Sequence, residues 1–191
     1  MDTIVKNKKL RILVTGGAGF IGGCLVKRLL DSTDSIVFNL DKLSYASDLT
    51  LINSSLNLKR HTLLKVSLVN YENLQTAIDE SDPDIIFHLA AESHVDRSID
   101  DSKPFIESNI IGTFNILELA KIHWLKLNKK RRENFKFIHV STDEVFGSLG
   151  SKGYFNENSP YMPKSPYSAS KASSDHLVRA WHSTYKLPVI V

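Results

Sequence analysis

Short apolar segments rich in β-branched residues alternate with longer segments of helical periodicity along nearly the whole chain. Such apolar segments are typical of strands buried on both faces, and strands separated by helices form βαβ units. The predicted strands are 10–15, 36–40, 62–66, 84–89 and 135–140, and the predicted helices are 20–31, 71–79, 104–127 and 167–185, with a short helix within 48–58. The alternation therefore predicts an α/β fold, a doubly wound parallel sheet with helices on both faces.

The composition excludes several classes of function. The 191 residues suffice for one domain with a hydrophobic core. The net charge of +3 (24 basic minus 21 acidic residues) is too small to indicate a nucleic-acid partner. No apolar run approaches the ~20 residues of a membrane span, and the first nine residues lack the apolar core of a signal peptide. Because a single cysteine also cannot form an internal disulfide, we expect a cytoplasmic protein without a membrane partner.

A glycine-rich segment separates the first predicted strand from the first predicted helix. Gly17, Gly19 and Gly22 match the spacing G-x-G-x-x-G, whereas Gly16, Gly19 and Gly22 match G-x-x-G-x-x-G. Either spacing lets backbone N–H groups at a helix N-terminus approach a pyrophosphate, as in Rossmann-like folds. Asp41, at the end of the second strand, can accept hydrogen bonds from ribose hydroxyls and repels a 2′-phosphate. The segment therefore predicts a site for NAD rather than NADP.

Tyr167 and Lys171 stand four residues apart at the start of the last predicted helix, so they project from the same helical face. A phenol is a poor base at neutral pH, and a neighbouring cation lowers its pKa. We therefore expect Tyr167 to take a proton from a substrate alcohol while a hydride leaves for a nicotinamide. The connection 141–166 is longer than a loop that only joins two elements of a compact domain, and we expect it to form part of an active site.

Two acidic residues follow the fifth predicted strand, in the run Ser141-Thr142-Asp143-Glu144. Ligands of open α/β sheets bind at the carboxyl ends of the strands. Adjacent residues of a strand face opposite sides, so Asp143 and Glu144 can serve one pocket only outside extended geometry. The strand is therefore predicted to end at or before Ser141.

The fourth predicted strand leads into a second polar run, residues 88–98, at the same edge. Ala90 and Ala91 are small enough for backbone to lie against a cofactor, Ser93 can reach a substrate, and His94 lines the pocket at most. No H-E-x-x-H pattern is present, so we predict no metal site.

Three further features are expected to be structural. His88 is interpreted as a core histidine, and Cys24, within the first helix, as a small buried residue. The basic run 129–132 is interpreted as a solvated turn that complements a helix dipole.

The predicted helix 104–127 carries more apolar residues than one helical face can hold. Its second apolar face needs a partner, which is either a neighbouring helix or another subunit. For the second case we expect a homodimer formed through helices 104–127 and 167–185.

Taken together, these segments resemble the extended short-chain dehydrogenase/reductases, and among them the dTDP-glucose 4,6-dehydratases. The resemblance covers essentially the whole chain. Its most specific part is the trio Thr142-Asp143-Glu144, because the similar sugar-nucleotide epimerases lack the acidic pair. The segments that carry it are 15–22, 41–46, 88–98, 141–147 and 167–171.

The resemblance implies a dehydration that starts from a nucleotide hexose, dTDP-glucose. Thr142 would bind the C4 oxygen, Tyr167 would take its proton, and Lys171 would hold Tyr167 and the nicotinamide ribose. Oxidation at C4 makes the C5 proton acidic. Glu144 would then remove that proton, and Asp143 would protonate the departing C6 hydroxyl. Two neighbouring carboxylates tend to split their pKa values in the way that such a pair requires. Return of the hydride to C6 would give the 4-keto-6-deoxy sugar.

The resemblance also implies which residues contact NAD and substrate. Ser67 and Leu68 stand where the family usually has an Asp and a branched apolar residue. Because Lys42 stands beside Asp41, NADP remains an alternative cofactor. The implied cofactor-binding residues are Gly16, Gly19, Phe20, Ile21, Gly22, Asp41, Lys42, Ser44, Ser67, Leu68, Leu89, Ala90, Ala91, Ser93, Ser108, Tyr167 and Lys171. The implied substrate-binding residues are Ser93, His94, Thr142, Asp143 and Glu144.

The family continues past this point with the rest of the sheet and a C-terminal domain that binds the nucleotide of the substrate. We therefore expect residues 1–191 to form the NAD-binding domain that carries the catalytic residues. The chain is expected to stop within its last strand, 188–191, with the substrate domain largely missing. Two alternatives remain open at this point. One is another nucleotide-sugar dehydratase or epimerase, and the other is an NAD-binding module without turnover.

Overall fold

A computed structural model describes residues 9–55 and 58–191, which form a single parallel sheet flanked by helices. The strands are β1 (Arg11–Thr15), β2 (Ile36–Asp41), β3 (His61–Lys65), β4 (Ile85–His88), β5 (Lys136–His139) and β6 (Val189–Ile190). The α-helices are α1 (Phe20–Ser32), α2 (Tyr71–Ser81), α3 (Val95–Asp100), α4 (Lys103–Phe105), α5 (Gly112–Lys126), α6 (Lys129–Asn134) and α7 (Pro166–Tyr185). The strand order β3-β2-β1-β4-β5-β6 is that of a Rossmann fold, which confirms the predicted fold class.

Each face of the sheet has its own hydrophobic core. Along β1, Leu13 points to one side, and Ile12 and Val14 point to the other. The larger core packs β1 and its neighbours against α2, α5 and α7 through residues such as Leu117 and Val178. The smaller core lies beneath α1 and a 3₁₀ helix, Thr50–Ser55. Both faces are therefore covered, as the apolar strands require.

The structure differs from the predicted elements at several places. The predicted helix 104–127 is α4, then a π-helical turn over Ile106–Ile111, then α5. The short helix predicted within 48–58 is the 3₁₀ helix Thr50–Ser55, and residues 56 and 57 lie outside the described residues, as do the first eight. The strand β5 ends at His139, which confirms that the strand ends before Ser141.

The basic run 129–132 is the helix α6 rather than a solvated turn, so that prediction is wrong. The side chain of Asn128 caps α6 by accepting a hydrogen bond from the backbone N–H of Arg131. The guanidinium of Arg131 donates to the carboxylate of Asp84 over 2.8 Å and to that of Asp82 over 2.8 Å. The prediction for Cys24 is also wrong, because its side chain is exposed. Within the described residues, no helix has the length and apolar character needed to cross a membrane.

Replacing Arg131 with Met is expected to lower the free energy of unfolding by about 2 kcal/mol, because it removes the ion pairs of Arg131 with Asp82 and with the buried Asp84. The control is Lys130→Met, at an exposed position of the same helix, which should change stability by less than about 0.5 kcal/mol. Urea unfolding followed by circular dichroism measures both. Equal stability of the two variants would show that the Arg131 ion pairs contribute nothing.

Candidate active site

A cleft of about 390 Å³ opens at the carboxyl edge of the sheet, around β1 and β4. The chain runs from β1 outward to β3 and then returns to β4 on the other side of β1, so this is the point where the strand order reverses. Ligands of open α/β sheets bind at such switch points. The residues lining the cleft are Gly16, Gly19, Phe20, Ile21, Gly22, Leu40, Asp41, Lys42, Ser44, Ala46, Ser47, Val66, Leu68, Leu89, Ala90, Ala91, Ser93, Ser108, Val140, Ser141, Tyr167 and Lys171.

The structure distinguishes the two glycine spacings. Gly16, Gly19 and Gly22 line the cleft, whereas Gly17 faces the protein interior, where a Cβ would lie 2.0 Å from the side-chain oxygen of Asn39. Gly16 has a positive φ of 72°, and a Cβ there would lie 2.7 Å from the backbone nitrogen of Ala90. The glycines that face the cleft therefore follow the spacing G-x-x-G-x-x-G.

The N-terminus of α1 points its free backbone donors toward the glycine loop. Gly19 is the N-cap, no side chain caps the helix, and its first turn contains no acidic residue. Phe20 and Ile21, the first two helical residues, line the cleft although they are apolar and exposed. Uncapped N–H groups at the positive end of a helix are suited to binding a phosphate.

Asp41 ends β2, and its buried carboxylate organises the rim of the cleft. It accepts hydrogen bonds from the backbone N–H of Ala18 over 3.1 Å and of Leu43 over 2.8 Å, and from the hydroxyl of Ser47 over 3.0 Å. These bonds place the acidic group beside the glycine loop, where a ribose would lie next to a phosphate bound at α1.

An ion pair joins the two walls of the cleft. Lys42, which follows β2, pairs with Glu92, which follows β4. Asn109, in the π-helical turn, holds Glu92 through two hydrogen bonds to its backbone, of 2.8 and 2.9 Å. The π turn therefore contributes directly to the rim.

Tyr167 and Lys171 lie together at the far end of the cleft, both buried. The ammonium of Lys171 donates to the backbone oxygen of Val140 over 2.7 Å, and burial lowers the pKa of Lys171 to about 8. Burial raises the pKa of Tyr167, a hydrogen bond with Thr142 lowers it, and the negative charge of Glu144 raises it. The prediction that a neighbouring cation lowers the pKa of Tyr167 is therefore wrong for this structure.

The acidic pair lies on one turn of 3₁₀ helix, Asp143–Phe146, which begins four residues after the last residue of β5. Thr142 caps this turn by accepting a hydrogen bond from the backbone N–H of Glu144 over 3.3 Å, and its hydroxyl donates to Asp143 over 3.4 Å. Glu144 lines a second, polar cavity of about 290 Å³ together with Lys164 and the N-cap of α7, Ser165. The negative charges of Asp143 and Glu144 both act on Tyr167, although neither residue, nor Thr142, lines the larger cleft.

Nearly all the predicted cofactor-binding residues line the cleft, and Ser67 is the one that does not. His94 is exposed at the N-terminus of α3 and lines neither cavity. The cleft residues that were not predicted are Leu40, Ala46, Ser47, Val66, Val140 and Ser141. Four of these stand at or just after the ends of β2, β3 and β5. The rule that ligands bind at the carboxyl ends of parallel strands could therefore have identified them as well.

His88 is structural, as predicted. Its ring is buried between two hydroxyls, at 2.8 Å from that of Thr15 and 3.0 Å from that of Thr113. Burial holds its pKa well below the ordinary value of 6.5, and the nearby His139, whose ring centroid is 5.2 Å away, acts in the same direction.

The pKa of His88 predicts acid sensitivity. Because the folded protein keeps His88 neutral, the unfolded chain binds the proton first as the pH falls below about 6.5. Stability should therefore fall toward lower pH, by up to about 1.4 kcal/mol per unit from this group. Urea unfolding at a series of pH values should show a shallower slope for His88→Gln, whereas the control Gln75→Ala, at an exposed position of α2 without a titratable group, should keep the slope of the unchanged protein. Parallel slopes in all three proteins would contradict the prediction.

The described residues contain no cluster of three or more His, Cys, Asp or Glu side chains placed to hold a metal ion.

Comparison with known proteins places this geometry in a family. Residues 13–191 match the family model described as GDP-mannose 4,6 dehydratase. The dTDP-glucose 4,6-dehydratase of Haemophilus influenzae is 47% identical over 183 residues, which is 95% of this chain and 54% of that protein. The chain therefore spans about half the length of the curated relatives it matches.

Solved structures share the same architecture. A Bacillus anthracis dTDP-glucose 4,6-dehydratase in complex with NAD superimposes with a TM-score of 0.81 at 42% identity, over 94% of this chain and 52% of that one. A Thermus thermophilus UDP-glucose 4-epimerase, also in complex with NAD, gives a TM-score of 0.79 at 30% identity, over 93% of this chain and 52% of that one. The fold is thus common to dehydratases and epimerases. Because the family model matches nearly the whole chain, the chain belongs to the GDP-mannose 4,6 dehydratase family.

Proposed function

We propose that the chain is the cofactor-binding and catalytic part of an NAD-dependent dTDP-glucose 4,6-dehydratase. The observation that carries this proposal is that Tyr167, which lines a dinucleotide-type cleft, forms a hydrogen bond with Thr142 and feels the negative charges of Asp143 and Glu144. Relatives named dTDP-glucose 4,6-dehydratase, at 47% identity, support the choice of substrate.

The cleft fits NAD. The glycines at 16, 19 and 22 leave room for a pyrophosphate above the uncapped N-terminus of α1, and Asp41 offers a buried acceptor to the adjacent ribose. The carboxylate of Asp41 disfavours a 2′-phosphate, and Glu92 neutralises Lys42 beside it. NAD, when bound, accepts a hydride from the hexose and returns it later in the cycle.

The residues at the end of the cleft divide the proton transfers among them. Tyr167 takes the proton of the C4 hydroxyl, and Thr142 donates a hydrogen bond to the C4 oxygen. Lys171, with a pKa of about 8, is mostly protonated at neutral pH. In the proposed reaction its charge lowers the pKa of Tyr167 from the raised value of the structure described above, so that the phenol can accept the proton. Its ammonium is anchored on the carbonyl of Val140, so the charge is held in place.

The acidic pair performs the elimination. Glu144 removes the proton at C5, and Asp143 protonates the C6 hydroxyl as it leaves as water, so one carboxylate gains a proton and the other loses one. An epimerase has no elimination step, which favours the dehydratase over an epimerase with the same fold.

The proposal extends to the assembly. Ile111, Phe114, Ile122 and Leu125 form an exposed apolar stripe at helical spacing on and just before α5, and the ring of Phe114 contacts Trp181 of α7. This exposed apolar surface, interrupted by the ion pair of Glu118 with Lys121, supports a homodimer through the helices around 104–127 and 167–185. A cytoplasmic location belongs to the same proposal, supported by the single cysteine.

The dimer is tested by sedimentation equilibrium. Ile122→Glu places a charge in the stripe and should convert dimers to monomers, whereas Lys129→Glu, exposed on α6, should leave them dimeric. Dimers that persist at equal strength in Ile122→Glu would show that this face is not the interface.

Turnover and cofactor binding are separated by two measurements. Calorimetric titration of the 191-residue chain should show NAD binding without binding of dTDP-glucose, because remote binding contacts position the sugar and their loss also costs rate. We therefore expect the chain alone to be inactive, as a binding module.

A chimera that joins the chain to the C-terminal half of the Haemophilus influenzae relative should form the 4-keto-6-deoxy product. A chimera that binds NAD and the nucleotide sugar but releases no such product would contradict the proposal.

A further inference from the structure

Asp175, in α7, joins three segments around the candidate active site. Its side chain is fully buried, and its carboxylate accepts three hydrogen bonds. Nε2 of His139 donates to one oxygen over 3.0 Å, and the hydroxyls of Ser141 and Tyr161 donate to the other over 2.5 and 2.8 Å. One carboxylate therefore connects the end of β5 and two points of the 141–166 loop to α7.

This junction lies next to the residues that the proposed reaction uses. Ser141 directly precedes Thr142, and Asp175 lies one helical turn after Lys171. Lys171 is itself bonded to the carbonyl of Val140, which precedes Ser141. The strand end and α7 are thus tied together twice, by Lys171 to Val140 and by Asp175 to Ser141.

The charge of Asp175 also faces Lys171. Burial lowers the pKa of Lys171, and the negative charge of Asp175 acts in the opposite direction. Asp143 and Glu144 carry negative charge near Tyr167, and Tyr161, with Arg179 next to it, is bonded to Asp175. Three further groups on this side are His88 of β4 and His139 of β5, whose pKa values burial lowers, and Tyr167 on α7. At neutral pH those three are uncharged, so the nearby carboxylate opposes the desolvation of Lys171.

An ionised carboxylate is costly to bury, and three donors around Asp175 meet that cost. We propose that Asp175 is a positioning residue that holds the strand end presenting Thr142 against the helix presenting Tyr167 and Lys171, and that it supplies the negative charge facing Lys171. The roles of Thr142, Tyr167 and Lys171 rest on the proposed function, whereas the junction itself does not.

The charge effect is tested by titrating Lys171. The chain is labelled with ¹³C at the lysine Cε atoms, and the signal of Lys171 is identified by its loss in Lys171→Met. The midpoint should lie near 8 in the unchanged protein and should fall by about one pH unit or more in Asp175→Asn, which removes the charge at nearly constant size. The control is Ser173→Ala, a partly exposed α7 position whose hydroxyl donates to the backbone oxygen of Ala169 in the same helix. A folded Asp175→Asn protein with an unchanged midpoint would overturn the proposal.

The positioning effect is tested without removing the carboxylate. The double variant Ser141→Ala/Tyr161→Phe deletes two of its donors but keeps its charge. Amide hydrogen exchange of residues 140–146 should become faster by at least about 10-fold, while the last turns of α7 exchange as before. Unchanged exchange in 140–146 would overturn the proposal even if Asp175→Asn does not fold. Neither experiment depends on turnover, so a failed dehydratase assay would leave both results intact.

Discussion

Gly22→Ala should abolish measurable NAD binding, with a loss of affinity of at least about 100-fold. A Cβ on Gly22 would lie 2.0 Å from the backbone oxygen of Gly16 and 2.8 Å from the Cα of Gly17. The obstructing atoms are backbone, so the glycine loop itself must move away from the start of α1. Several charge-assisted hydrogen bonds to a phosphate, each of about 1.5–3 kcal/mol, depend on that geometry.

The neighbouring glycine provides a matched control. A Cβ on Gly23 would meet nothing closer than 3.6 Å, which is an ordinary contact. Gly23→Ala should therefore leave NAD affinity unchanged and raise stability by about 0.5–1 kcal/mol, as an alanine in a helix interior does. Calorimetric titration and thermal unfolding measure the two effects. Equal NAD affinity of Gly22→Ala and Gly23→Ala would show that the loop does not bind the pyrophosphate.

Glu144→Gln should lower turnover of the chimeric enzyme by about 10³-fold, which is within the range of one general base. The amide keeps the size of the side chain but cannot take the C5 proton. Oxidation at C4 does not use Glu144, so the variant should accumulate reduced nicotinamide, visible by its near-ultraviolet absorbance, when dTDP-glucose is added.

The comparison variant is Glu157→Gln, an exposed acid in the same 141–166 loop, which should turn over normally. If Glu144→Gln turns over normally, Glu144 is not the base. If it fails without accumulating reduced nicotinamide, the residue acts before the elimination or only in folding.

The fold and most of the cleft could be predicted because they depend on local patterns. Alternation of apolar segments places β1 to β5, and the rule that ligands bind at strand ends places Asp41, Ala90 and the Thr142 trio at one edge. Which glycine spacing faces the cleft could not be predicted. That choice depends on contacts of Gly17 with Asn39, which is distant in sequence.

The errors also have physical reasons. A π turn shifts the helical period by one residue, too little to break the apolar pattern of 104–127. The charged run 129–132 shows no amphipathic period, so its sequence does not predict a helix. In the structure α6 is held instead by ion pairs of Arg131 with Asp82 and Asp84, which are distant in sequence.

The pKa of Tyr167 depends on how deeply the phenol is buried and on which groups bond to it or carry charge near it. The sequence places Lys171 four residues away. It does not show that the ammonium donates to Val140 or that the phenol is buried. The junction at Asp175 combines residues from β5, the loop and α7, which no local pattern joins.

The path of the hydride tests the proposed function most directly. The chimera is incubated with dTDP-glucose carrying deuterium at C4, and the product is examined by NMR and mass spectrometry. The proposed reaction predicts a 4-keto-6-deoxy sugar with the deuterium at C6, because the hydride removed from C4 returns to that carbon. A C4 epimer with deuterium still at C4 would contradict the dehydratase and indicate an epimerase.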